Sequence, residues 1–159
     1  MLNNKTLNYG AKMNNKEKAV ALFMSEKNCA QSVLIANNEK NEHENEMLMN
    51  ITQVFGGGVL RTGNLCGAVS GALMAIGIKY GNPNDPHGKG RAIELGRLFL
   101  KEFTDKNGSI NCRELLGHDM SNEEERKKIV ELQLRDKVCK KLIENSSDIL
   151  EKIFMENKV

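Results

Sequence analysis

Gly56-Gly57-Gly58-Val59-Leu60-Arg61-Thr62-Gly63-Asn64-Leu65-Cys66-Gly67-Ala68-Val69-Ser70-Gly71-Ala72-Leu73-Met74-Ala75-Ile76-Gly77 is the stretch that decides the fold. It reads as a glycine-rich loop running into a helix, with a cysteine in the first turn of that helix. Asn64 is the expected N-cap, because its side-chain oxygen can accept from a backbone N–H left unpaired at a helix start. Cys66 then falls at the second helical position, where free amides and the positive end of the helix dipole favour a thiolate. From Ala68 to Ile78 the residues are almost wholly small or apolar, so this helix has no polar face and belongs in the core. Gly67, Gly71 and Gly77 each weaken the helix by about 1 kcal/mol relative to Ala. Such weakness implies close approach by a neighbouring element or a bound group.

Working outward, composition points to an all-α single domain. The 159 residues include two prolines and no Trp, and helix formers dominate. The chain is long enough to bury a core without disulfide staples. Its 23 basic and 21 acidic side chains leave a formal charge of +2, too even a balance for an electrostatic nucleic-acid surface. The N-terminus has no signal-peptide pattern, and the longest apolar run falls short of the ~20 residues a membrane span needs. The expectation is a cytoplasmic protein without membrane insertion, and structural disulfides are rare in that compartment. Four cysteines there point to catalysis, redox sensing or metal binding.

Periodicity and caps predict a bundle of about six to seven helices around the buried Gly/Ala-rich one. Residues 1–15 are polar, Asn-rich and expected to be frayed or disordered, with the helical domain over 16–159. Lys16 to Glu26 forms a first helix. Asn28 and Gln31 then make a capping box that places Cys29 at the start of a second, through Ile35. Asn45 to Phe55 reads as a helix with Met47, Leu48, Ile51 and Phe55 inward. Arg91 to Asp105 is amphipathic through Ile93, Leu95, Leu98, Phe99 and Phe103. Asn111 and Glu114 suggest a further capping box placing Cys112 in a first turn, with Gly117 as C-cap. Ser121 and Glu124 start a charged helix. After Leu134 either Asp136 caps a final helix over Lys137 to Met155, with Cys139 in its first turn, or one long helix passes through.

Cys29, Cys66 and Cys112 thus each sit just after an Asn at a predicted helix start, and Cys139 follows Asp136. Helix starts are where thiols become nucleophiles or ligands, so the four are expected to cluster in space. No C-x-x-C is present, which removes zinc-ribbon and ferredoxin spacings. Any joint site must be assembled by the fold. Converging thiolates of Cys29, Cys66, Cys112 and Cys139 would hold Zn or an iron–sulfur cluster; pairs of them would cycle between dithiol and disulfide. Cys66 is the expected attacking thiolate, resolved by one of the others. Gly67 and Gly71 are expected to lie against any bound cofactor. His43, His87 and His118 read as exposed bystanders. Gly56 to Gly58 with Arg61 either cradles an anion or, more simply, makes a tight turn. Neither a Walker A nor a G-x-S-x-G is present.

Cys66-Gly67-Ala68-x-x-Gly71, with Cys29 before it and Cys112 and Cys139 after it, resembles the signature of the C_GCAxxG_C_C family, described as redox-active proteins. The flanking Asn28-Cys29-Ala30-Gln31-Ser32-Val33-Leu34 and Cys112-Arg113-Glu114-Leu115-Leu116-Gly117 fit as well, and the resemblance spans roughly residues 18 to 155. It implies thiol-based or metal-centred electron transfer, with a redox protein or a small electron carrier as partner. A homodimer is compatible with it. The rival reading is a non-catalytic metal-binding module that locks all four thiolates as ligands.

Overall fold

The computed structural model describes residues 13–39 and 42–158. Among the described residues the chain forms eight α-helices and no strand: α1 (Asn15–Met24), α2 (Cys29–Ala36), α3 (Glu42–Thr52), α4 (Gly67–Tyr80), α5 (Pro86–Asn107), α6 (Cys112–Leu116), α7 (Glu123–Glu131) and α8 (Lys140–Glu156). A 3₁₀ turn, Gln53–Phe55, extends α3, and a π-turn, Arg135–Cys139, leads into α8. The all-α expectation holds, with one short helix more than the count anticipated. Asn14 caps α1, so the helix starts inside the segment 1–15 expected to be frayed; residues 1–12 of that segment lie outside the described residues. Among the described residues no helix is long and apolar enough to cross a membrane.

Helix α4 is buried in the middle, packed on α2, α5 and α8. Its glycines decide how it packs. A Cβ at Gly71 would lie 2.5 Å from the carbonyl oxygen of Ala30, and one at Gly67 would lie 3.0 Å from the Cβ of Cys29. Backbone of α4 therefore rests on the first turn of α2. The close approach expected at Gly67 and Gly71 is made by a neighbouring helix; at Gly71 the backbone of Ala30 takes the place expected for a cofactor. Gly77 is different: a Cβ there would meet nothing within 4 Å.

The other faces follow ordinary amphipathic logic. Leu95, Phe99 and Phe103 stand one turn apart on α5 and are buried, with the two phenyl rings stacked at 5.8 Å. Ile143, Leu150 and Ile153 of α8 close the core from the other side. Ile93 was expected to join them but is 47% exposed. The face expected for α3 is also turned: Met47 and Ile51 are exposed, while Thr52 is fully buried and Leu48 packs on the core.

Two glycines in the same helix should therefore respond oppositely. Gly71→Ala forces α4 off α2 and should lower stability by about 1–3 kcal/mol. Gly77→Ala adds a good helix former into open space and should raise it by up to about 1 kcal/mol. Thermal unfolding of the two variants checks this.

Candidate functional site

Each cysteine is set by a local device that ends or begins a helix. Cys29 is the first residue of α2, behind a complete capping box: Asn28 Oδ1 accepts from the Gln31 amide and Gln31 Oε1 accepts from the Asn28 amide, both at 2.9 Å. Asn28 Nδ2 also donates to the Thr52 and Gln53 carbonyls, each at 3.1 Å, tying this helix start to the end of α3. Cys66 is itself the N-cap of α4. Asn64, expected in that role, instead uses its carbonyl to accept from the Cys112 amide at 2.7 Å. The Cys66 amide donates to the Ile110 carbonyl at 2.8 Å, and together these make an antiparallel bridge that joins the starts of α4 and α6. Cys112 begins α6, which Gly117 ends in the left-handed conformation, as expected.

Cys139 closes the π-turn. Asp136 lies inside this turn and caps nothing. The turn is anchored from far away in sequence. Arg135 Nη2 donates to the Phe23 carbonyl at 2.7 Å, and its guanidinium sits 4.3 Å from the centre of the Phe23 ring. Arg135 thereby holds the turn against the end of α1 and brings Cys139 to Cys29.

The four thiols lie within electrostatic reach of one another, but they are not equivalent. Interaction with the neighbouring Cys139 thiol, together with burial, keeps the Cys29 thiol well above its usual range. The neighbouring Cys29 thiol and the Arg135 charge favour the Cys139 thiolate, lowering its pKa against its burial. Burial pushes Cys66 up to about 11, against the pull of the Ala68 and Val69 amides. Burial likewise pushes Cys112 up to about 12. Burial thus works against the lowered pKa expected of Cys66. Only 3% of Cys66 remains exposed, so desolvation outweighs the helix start. Of the four, Cys139 alone has its pKa shifted down, the Arg135 charge being one of the causes.

Cys29, Cys112 and Cys139 line a cavity of about 510 Å³, with Gly67 beside them. Cys66 is not on its wall. Gly57 and Arg61 are, and they bound a feature the sequence did not announce: Gly57, Gly58, Val59, Leu60 and Arg61 all have positive φ, between 51° and 72°. This is a left-handed helical turn, costing roughly 1–2 kcal/mol for each residue that is not glycine. It is held by amide bonds from Leu60 to the Val54 carbonyl (2.8 Å) and from Asn64 to the Gly58 carbonyl (3.0 Å). Gly58 is obligatory, since a Cβ there would lie 2.6 Å from the Asn64 nitrogen. Of the histidines, His43 and His87 are exposed, but His118 pairs with Glu125 through Nδ1 at 2.5 Å.

The chain matches the model of a known family over residues 27–153, described as "Putative redox-active protein (C_GCAxxG_C_C)". It belongs to the C_GCAxxG_C_C family. An uncharacterized protein of Archaeoglobus fulgidus is 30% identical over 132 residues, covering 76% of this chain and 86% of the relative. No solved structure matches. Within the C_GCAxxG_C_C motif this chain reads Cys66-Gly67-Ala68, so the cysteine ends the loop and the glycine after it meets α2.

A zinc ion or an iron–sulfur cluster needs deprotonated sulfurs converging on one point. Among the described residues no three Cys, His, Asp or Glu side chains are so arranged. The residues as placed do not fit a bound metal or cluster.

The buried thiols make stability fall in alkali. A thiol whose folded pKa exceeds the unfolded value of 9.0 contributes fully below that pH and loses its contribution as pH rises toward about 11 for Cys66. Cys139, with its lowered value, has the opposite sign. The reduced protein should lose stability between pH 9 and 11, and Cys66→Ala should lose less over the same window whatever its starting stability. Equal slopes in denaturant unfolding would show that Cys66 is already ionised or exposed.

Proposed function

We propose that this protein carries out thiol–disulfide exchange through Cys139 and Cys29, with a disulfide as the oxidant. The observation that carries this reading is that Cys29 and Cys139, both only partly buried, stand on the wall of one cavity that Cys66 does not reach; the Arg135 charge beside Cys139 favours its thiolate. Neighbouring thiols with unequal acidity are what exchange chemistry needs: one attacks, the other resolves. Membership of a family described as redox-active supports it.

The steps balance. The Cys139 thiolate attacks one sulfur of the substrate disulfide, forming a mixed disulfide and expelling the other sulfur as a thiolate. The Cys29 proton passes to that leaving thiolate. Cys29 sulfur then attacks Cys139 sulfur, closes the intramolecular disulfide and releases the second substrate thiolate. Two electrons leave the protein and the substrate is reduced to one thiol and one thiolate, the latter taking its proton from solvent. The reverse sequence regenerates the dithiol from a reducing partner, a protein or a small carrier. The lowered pKa of Cys139 also makes it a good leaving group in that direction.

Cys66 and Cys112 have a supporting part in this scheme. Both are buried, both are held protonated, and they join the loops on which the cavity is built. Gly67 and Gly71 serve the site by seating α4 on α2 behind Cys29.

The measurement is timed iodoacetamide alkylation of the reduced protein near neutral pH, read by peptide mass spectrometry. Cys139 should react first and Cys66 last. Arg135→Gln should slow Cys139 by removing a charge that favours its thiolate. If Cys66 reacts first, or Cys139 no faster than Cys112, the assignment of the nucleophile is wrong.

A further inference from the structure

The cavity beside Cys29 and Cys139 is unevenly charged. Its wall carries Lys27, Arg61, Arg126 and Arg135 against the single carboxylate of Glu26. Two of these cations are committed within the fold. Arg135 donates to the Phe23 carbonyl and lies 3.6 Å from Glu26, and Arg126 donates to the Met120 carbonyl at 3.0 Å. The side chains of Lys27 and Arg61 have no hydrogen bond or ion pair with any described residue. An excess of positive charge therefore faces the thiols without an internal counter-ion.

Arg61 is also where the backbone carries strain. It ends the left-handed turn, with φ of 59°, and its amide donates to the Gly56 carbonyl at 3.1 Å. Strained backbone persists only where the surroundings enforce it, and it gathers at functional sites. Here its consequence is to set Arg61 on the cavity wall. Between the charges the wall is apolar, through Leu116, Met120 and Ile129. At about 510 Å³ the cavity has the size of a small-molecule site.

We infer that this cavity selects a small disulfide whose arms end in carboxylates, steering it by Arg61 and Lys27 onto Cys139. The inference rests on the dithiol reading of the same site. The apolar wall takes the hydrocarbon arms, and the unpaired cations take the carboxylates. Lined by one sign of charge, a cleft raises the local concentration of an oppositely charged substrate and its rate of arrival.

The test compares three aliphatic disulfides of similar size: dithiodipropionate, which is dianionic; hydroxyethyl disulfide, which is neutral; and cystamine, which is dicationic. Second-order rates of oxidation of the reduced protein are measured at low ionic strength. The dianion should react about 10-fold or more faster than the neutral reagent, and cystamine slowest. Added salt should shrink the spread, since charges at a cavity mouth are screened over about 10 Å at 0.1 M salt. Arg61→Gln and, independently, Lys27→Gln should each lower the ratio of the anionic to the neutral rate. Lys89→Gln, an exposed cation outside the cavity, should leave that ratio where it is. Rates independent of reagent charge, or a ratio that all three variants lower alike or none lowers, would overturn the substrate assignment and leave the dithiol standing. Failure of all three disulfides to oxidise the protein would overturn the dithiol reading, and this inference with it.

Discussion

The structure depends on backbone-to-backbone packing between α4 and the first turn of α2. Gly71 faces the Ala30 carbonyl where a Cβ would lie at 2.5 Å, and Gly67 faces Cys29. Larger residues would push the helices apart by more than neighbouring side chains can absorb, because interiors are close-packed. Loss of helix propensity at these glycines is offset by this contact and by the burial of Ala68, Val69, Ala72 and Ile76 around it. The same contact fixes the site. It sets the start of α2, with Cys29, against the start of α4, and leaves Cys66 behind the cavity.

At the thiols, two physical effects compete: helix-start amides favour the anion, and burial disfavours it. Cys66 has both, and burial wins, with the thiol pushed up to about 11. Cys139 is only partly buried, and it has Cys29 beside it and the cation of Arg135 within reach. A neighbouring thiol and a placed charge act against desolvation at Cys139. The thiolate is therefore expected where two distant segments meet, on the π-turn that Arg135 pins to the end of α1. Insertion of a π-turn into a helix commonly marks such a place.

What could be read from the sequence was local. The Asn28–Gln31 box and the Gly117 cap act over a few residues, and both appear as expected. The buried nature of α4 followed from its composition. The inward face of α3 did not, because Met47 and Ile51 have the right spacing but lie on a helix at the edge, turned toward solvent. The left-handed turn was hidden for a different reason: Val59, Leu60 and Arg61 have no local preference for positive φ, and the surrounding amide bonds impose it. All four cysteines stood out in the sequence, and three of them share one cavity wall, but their ranking was not accessible. It depends on Arg135 reaching Phe23, a contact spanning 112 positions of sequence.

The central claim is that Cys29 and Cys139 act as one redox pair. The direct measurement is disulfide mapping by mass spectrometry after the reduced protein is oxidised with a stoichiometric amount of a small disulfide. The account predicts a Cys29–Cys139 bridge as the first product, with Cys66 and Cys112 still reduced. A first bridge that includes Cys66, or mixed disulfides at Cys139 that never resolve onto Cys29, would contradict it.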